Sequence, residues 1–229
     1  MESSNELTPA QTKILESLKL EKDATGKYTL PALTQLYDAT VAWGKDEFTG
    51  IASTFRKERR AADTQQAYVE AHRSFSDNLA TLLEKCQREL LGKLGIEISE
   101  FEKSVVAYME EGKPEIYELD NSLPRKMNAS LSSTAKSLEG INVKDVLKEK
   151  TEYLDKNAAN LKKYALFAGF DELSTIVQSK LHDFVHEKFG IEEEDFVAIF
   201  SNSPDLLKDS EVQDLMSKYQ KQLDKITQF

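Results

Sequence analysis

Hydrophobic residues recur at three- and four-residue steps along most of this chain, which is the spacing of one face of an α-helix. A clear example runs through Leu79, Leu82, Cys86 and Leu90. Glycine and proline number only 9 and 5, too few for the many turns of an all-β protein. The pattern therefore predicts an all-α protein, a multi-helix bundle of about seven to nine helices.

Capping residues predict where some of these helices begin. Thr8, Pro9 and Gln11 form the pattern of a capping box with proline at the first helical position. Asn142 stands in a similar place before an amphipathic segment that is predicted to run as one helix to Phe167. Both positions are expected to start helices.

Residues 46–91 contain no proline, and Gly50 is the one glycine among them. Its two ends are amphipathic, whereas residues 56–66 are almost all polar or alanine. This middle fits either an exposed length of helix or a break near residues 63–64. We favour one long central helix over about 46–91, which would extend roughly 68 Å at ~1.5 Å per residue. The helix before it is expected to end or bend at Gly44.

A short motif occurs twice, at residues 93–97 and 188–192, as Lys, an apolar residue, Gly, Ile and Glu. Gly95 and Gly190 both stand just past an apolar stripe, where glycine commonly ends a helix and the next apolar residue packs back on it. A true duplication would give two similar helical subunits. The alternative is that any two amphipathic helices stopped by glycine share this pattern.

The chain is accordingly divided into four parts. Residues 1–30 hold an N-terminal tail and the first helix, and 31–127 form a first helical subunit. Residues 128–142, rich in serine and weakly patterned, are the predicted linker. A second helical subunit follows at 143–229.

Charge and cysteine content limit the partners and the cellular compartment that are expected for this protein. The 40 acidic and 30 basic residues give a formal net charge of −10, which disfavours nonspecific binding to nucleic acid or anionic membranes. The single cysteine, Cys86, excludes an internal disulfide framework and suits a reducing compartment. It falls on an apolar helix face and is expected in the core. With no signal-peptide pattern and no apolar run near ~20 residues, a cytoplasmic protein is predicted.

A candidate metal site lies on a predicted helix near the C-terminus. His182 and His186 are four residues apart and share a face, and Asp183 has the three-residue spacing to His186 of some metal-binding pairs. No other helix offers a matching pair of ligands. The favoured interpretation is that these histidines lie beside the apolar stripe, with metal binding as the alternative. No cofactor is predicted.

A basic cluster stands in the polar middle of the 46–91 stretch. It consists of Arg56, Lys57, Arg59 and Arg60. Such a cluster is typical of a site for phosphate, anionic lipid or an acidic partner. The favoured interpretation is a solvated helix face that nearby acidic residues balance, with anion or partner binding as the alternative.

Phosphate-binding loops and nucleophile motifs are missing from the sequence, so no enzyme is predicted. The leading hypothesis is a non-catalytic cytosolic interaction or scaffold protein. It would bind a protein partner, or a second copy of itself, through amphipathic helix faces. One alternative is a peripheral lipid-binding protein that uses the basic cluster, and another is a helical-bundle metal protein. Nucleic acid is not an expected partner.

Overall fold

The prediction of an all-α protein is confirmed. The computed structural model describes residues 6–133 and 138–228, and in these ranges the chain forms ten α-helices and one short 3-10 helix. The helices are α1 (Pro9–Ser17), α2 (Leu30–Ala61), α3 (Gln65–Leu94), α4 (Ile98–Glu110), α5 (Pro114–Ala129), α6 (Val143–Lys162), α7 (Ala165–Ala168), α8 (Phe170–Phe189), α9 (Glu193–Asn202) and α10 (Ser210–Thr227), with the 3-10 helix at Pro204–Lys208.

The capping signals at the starts of α1 and α6 are also confirmed. The backbone N–H of Gln11 donates to Thr8 Oγ1 at 3.2 Å, and the N–H of Thr8 donates back to Gln11 Oε1 at 3.0 Å. Asn142 Oδ1 accepts the N–H of Lys144 at 3.0 Å. These caps satisfy helix N–H groups that have no partner inside the helix.

The single long helix over 46–91 was a wrong prediction. α2 ends at Ala61 and α3 begins at Gln65. Thr64 supplies the physical reason, because its hydroxyl accepts the N–H of Ala67 at 3.1 Å and so caps a new helix. Of the two alternatives for Gly44, a helix end was wrong, since α2 continues through it.

The chain divides into two compact units. The first comprises the described residues up to Thr54 together with Phe75–Leu131, and the second comprises Phe55–Ser74 with the described residues from Ser132 onward. Residues 55–74, which the sequence places in the first subunit, belong to the second unit. Of the predicted linker, residues 134–137 lie outside the described residues, as do residues 1–5 of the predicted tail.

In the first unit, the segments of α2 and α3 run antiparallel and share one core. Trp43 Nε1 donates to Glu89 at 3.2 Å. Four residues further along α2 and four residues back along α3, Glu47 pairs with Lys85 at 2.8 Å, which is the order expected of antiparallel helices. Between these pairs, a Cβ atom added to Gly44 would lie 2.8 Å from the sulfur of Cys86. Gly44 therefore permits close helix packing and does not end a helix.

Cys86 lies in the core of the first unit, as its position in the apolar stripe predicted. Burial raises the pKa of its thiol to about 11, so the thiolate is scarce at neutral pH. The side chain acts as a small apolar residue.

The two glycine corners are helix stops, as predicted. Gly95 has φ +67°, and the N–H of Ile96 donates to the C=O of Leu91 at 2.9 Å, which is the Schellman geometry. Gly190 has φ +71°, and its own N–H bonds a carbonyl one turn back at 2.8 Å, a simpler left-handed cap. Ile191 is buried beside it. Whether the two helical subunits are true duplicates stays a prediction.

The second unit is built around α6, α8 and α10, which pack on one another. One apolar cluster gathers around Leu154, Leu173 and Leu181, and includes Tyr68 from residues 55–74. Another gathers around Val146 and carries the side chains that follow the second corner. Polar groups at the edges of these clusters form the sites described next.

Candidate functional site

Three residues of the basic cluster bind carboxylates within the second unit. Arg56, Arg59 and Arg60 lie three and four positions apart and so share one face of α2. Arg56 makes a bidentate contact with Glu194 at 2.8 and 2.7 Å. Arg60 makes another with Glu192 at 2.9 and 2.6 Å. Bidentate guanidinium–carboxylate pairs are the stronger and more directional class of ion pair.

Asp183 joins the remaining arginine to this arginine–carboxylate network. Its Oδ1 accepts from Arg59 Nε and Arg60 Nε, each at 2.9 Å. Its Oδ2 accepts the hydroxyl of Tyr68 at 2.7 Å. Burial, and after it the charge of Asp183, raises the pKa of Tyr68, so this phenol stays a donor. Both carboxylate oxygens are thus engaged.

This arrangement changes the interpretation of the basic cluster as a site for anions. Its arginines are paired inside the unit with Asp183, Glu192 and Glu194, whereas Lys57 is exposed. Burial raises the pKa of Glu192, but the hydrogen bonds from Arg60 and the charges of Arg56 and Arg60 outweigh it and leave that pKa below 4.5. The Glu192 carboxylate therefore stays ionised at neutral pH. A surface for anionic lipid would have to compete with these internal pairs.

The candidate metal ligands contact separate partners. His182 Nδ1 lies 3.3 Å from Glu193, and His186 Nε2 lies 3.5 Å from Glu192, while Asp183 is held by the arginines. Within residues 6–133 and 138–228, no three side chains of His, Cys, Asp or Glu come together in a group that could hold a metal ion. Burial lowers the pKa of His182 to about 3, with the charge of Lys150 acting in the same direction.

Lys150 lies beside a small cavity of about 20 Å³ that Val146, His182 and Phe196 also line. Its side chain is buried, and its ammonium group lies 4.6 Å from the ring centre of Tyr219. Burial lowers the pKa of Lys150 to about 8, against the opposing charge of Glu193. A cavity of this volume has room for about one water molecule.

The first unit carries an open groove of about 470 Å³ between α3 and α5. Its apolar floor includes Leu83, Phe101 and Leu123, and Asp120 stands at its side. Burial, followed by the charge of Asp120, raises the pKa of Tyr37 in this groove. The floor side chains are almost wholly covered, so the groove offers little apolar area to a partner.

An apolar corner in the second unit is the main exposed hydrophobic feature. It consists of Leu166, Phe167 and Phe170, which are 80%, 40% and 61% exposed. Contiguous apolar patches of this kind on a protein surface commonly mark interaction sites. They lie where α7 passes through Gly169 into α8.

Buried neighbours hold the apolar corner in place. Tyr164 is buried, with its ring 5.7 Å from that of Tyr68, and Leu173 is fully buried at the start of α8. Arg73 Nη2 donates to the backbone carbonyl of Phe167 at 2.9 Å. These contacts turn one set of side chains inward and leave the apolar corner pointing to solvent.

Opposite charges flank the apolar corner along the chain. Lys162 and Lys163 end α6 on one side, and Asp171 and Glu172 begin α8 on the other. Each pair also suits its helix dipole. Lys163 Nζ contacts a neutral amide oxygen, that of Asn160, at 3.3 Å and so keeps its net charge.

Sequence reasoning missed the apolar corner. It predicted one helix from Asn142 to Phe167, whereas α6 ends at Lys162 and α7 is a separate turn. The overlooked signal is that residues 165–170 contain no polar side chain. One face of a helix cannot bury six consecutive apolar or glycine positions, so some of them had to be exposed.

Among the described residues, the helices are all too short or too polar to span a lipid bilayer.

No family model matches this chain, and no curated protein or solved structure matches it significantly. Its function is therefore inferred from its own surfaces.

Proposed function

We propose that this is a non-catalytic helical interaction protein that binds a protein partner through the apolar corner. The exposure of Leu166, Phe167 and Phe170 is the observation that supports this proposal. Covering large apolar side chains removes them from water at about 25 cal/mol per Å², so a partner surface gains free energy by docking here. The single buried cysteine suits a reducing compartment, and we place this binding in the cytoplasm.

The expected partner is a protein surface rather than a lipid. Charges of both signs flank the apolar corner along the chain and so offer anionic headgroups no net attraction, and the chain carries a net charge of −10. Three of the four cations that would serve a lipid surface are paired internally. A protein interface with an apolar centre and a rim of both charges fits this arrangement.

The test compares the wild-type chain with the double variant Leu166→Asp, Phe170→Asp. Both positions are exposed, so the variant is expected to keep the wild-type circular dichroism spectrum. Val106→Asp serves as control, because Val106 is 49% exposed on α4 of the first unit. Proteins cross-linked to each chain in cells are quantified by mass spectrometry.

At least one specific protein is expected to fall by about tenfold or more with the double variant and to be unchanged with the control, since central interface residues dominate affinity. Equal recovery from all three chains would refute the proposal. Co-sedimentation with phosphatidylserine vesicles is measured in parallel. Vesicle binding that the double variant loses would assign the apolar corner to lipid and overturn the protein-binding function.

A further inference from the structure

We infer that the partner seated on the apolar corner is a second copy of this chain, paired about a two-fold axis. The inference rests on the proposed protein-binding function and adds the identity of the partner. It is carried by the charge pattern around the apolar corner together with the exposure of its three side chains.

The apolar corner is self-complementary. A basic rim, Lys162 and Lys163, precedes it along the chain, and an acidic rim, Asp171 and Glu172, follows it. A two-fold axis that passes between the rims brings the basic rim of each copy against the acidic rim of the other. The same operation places the apolar side chains of the two copies face to face. A partner with one sign of charge would satisfy only one of the two rims.

Each rim has one residue, Lys163 or Asp171, whose charge the described local contacts leave in place. Lys163 contacts the neutral amide of Asn160. Arg73 pairs with Glu172 at 3.3 Å, so Asp171 carries the net negative charge of its rim. Lys163 and Asp171 are therefore the positions at which charge reversal tests the pairing.

The apolar corner is small beside the ~1,200 Å² or more of a stable interface, so the self-association is weak. A dissociation constant on the order of 10–100 µM is expected, and sedimentation velocity of the full chain from about 1 to 300 µM covers that range. The double variant Leu166→Asp, Phe170→Asp is expected to remain monomeric throughout. A wild-type chain that is monomeric at the highest concentration overturns the inference.

Charge reversal then tests the two-fold geometry. Lys163→Glu alone and Asp171→Lys alone each place like charges opposite one another twice per dimer, and each is expected to weaken association by about three- to tenfold. A chain with both substitutions, and an equal mixture of the two single variants, restore opposite charges and regain wild-type association. Lys57→Glu, an exposed change of equal charge, leaves association unchanged. Weakening by the single variants without recovery in the combination overturns the pairing.

Failure of this inference is distinguishable from failure of the proposed function. A monomeric wild-type chain whose cross-linked partner is lost in the double variant overturns self-pairing and leaves the protein-binding function standing. A cross-linked partner retained by the double variant, together with a monomeric wild-type chain, overturns both.

Discussion

At the scale of single residues, Gly44 is required by a close approach between helices. Adding a Cβ there would place it 2.8 Å from Cys86 Sγ and 3.1 Å from Met127 Cε, inside a packed core. Gly44→Ala is expected to lower the free energy of unfolding by about 1 kcal/mol, because overpacking costs ~1–3 kcal/mol and the better helix propensity of alanine returns ~1 kcal/mol. Urea denaturation followed by circular dichroism measures it.

Two comparisons distinguish the packing cost of a Cβ atom at Gly44 from the gain in helix propensity that alanine brings. Gly50 is in the same helix with no atom within 4 Å of its added Cβ, so Gly50→Ala is expected to stabilise by up to about 1 kcal/mol. In a Cys86→Ala background the loss caused by Gly44→Ala should shrink, since the sulfur is gone. A gain from Gly44→Ala equal to that from Gly50→Ala would show that the close approach is unimportant.

Lys150 is a buried cation whose charge opposes folding. Its pKa falls from 10.5 to about 8 because of burial, so between those values the unfolded state binds more protons and stability rises with pH. Below pH 8 Lys150 is charged in both the folded and the unfolded state, so the full free-energy cost of burying its charge remains. Lys150→Met is therefore expected to raise the free energy of unfolding at pH 7 by about 1–2 kcal/mol.

The matched control for Lys150 is Lys156→Met, because Lys156 lies on the same helix with an exposed side chain. It is expected to change stability by less than about 0.5 kcal/mol. Chemical denaturation at pH 7 and at pH 9 distinguishes the variants, and the advantage of Lys150→Met should narrow at the higher pH. A loss of stability on Lys150→Met would contradict the conclusion that burying the charge of Lys150 opposes folding.

At the scale of elements, the arginine–carboxylate network attaches α2 to α8 and α9 within the second unit. Arg60 holds Glu192 in a bidentate contact and also reaches Asp183. Arg60→Met removes both hydrogen bonds to Glu192 and one to Asp183. Of the arginines, only Arg56 and Arg59 then remain beside these carboxylates, so a loss of about 2–3 kcal/mol at pH 7 is expected. Because the pKa of Glu192 lies below 4.5, the loss is full above that pH and fades as the pH falls through the folded-state pKa.

A double-mutant cycle with Glu192→Gln checks that Arg60 acts through this pair. The two substitutions together should cost less than the sum of the single ones, by about 1 kcal/mol or more. Lys57→Met, at an exposed position on the same helix, is the control and should be nearly neutral. Strict additivity of the two substitutions would show that the contacts between Arg60 and Glu192 at 2.9 and 2.6 Å carry no coupling energy.

Elements whose ends are set by local signals were predictable. The capping box at Thr8 and the stops at Gly95 and Gly190 act over a few neighbouring residues, so the sequence shows them directly. The break after Ala61 was harder, because a polar, alanine-rich segment suits an exposed helix as well as a turn. Gly44 was misread because glycine serves both helix ends and close packing, and only the neighbouring helix distinguishes these uses.

At the scale of the whole molecule, the buried His72 and the half-buried His182 predict acid sensitivity that begins well above the pH range in which carboxylates titrate. Burial lowers the pKa of His182 to about 3 and that of His72 to about 4, from 6.5. Below pH 6.5 the unfolded state takes up protons that the folded state does not, so the free energy of unfolding decreases as the pH decreases. Between pH 6.5 and 5 a loss of about 2–3 kcal/mol is expected.

Urea titrations at half-unit steps of pH measure this slope. His182→Gln should remove about half of the loss, since glutamine keeps a polar side chain but does not titrate. Stability that is flat down to pH 4.5 in the wild-type chain would refute the assignment.

The sequence by itself determined the fold class, most helix starts and stops, and the burial of Cys86, because periodicity and caps depend on residues within one or two turns. It also showed that the four residues of the basic cluster stand close together in the chain, but not what they contact. Only the tertiary structure decided that Arg60 meets Glu192, 132 positions away, and that Leu166 and Phe170 stay exposed. Both outcomes depend on which helix faces pack together, and that is a property of the assembled unit rather than of any local stretch of chain.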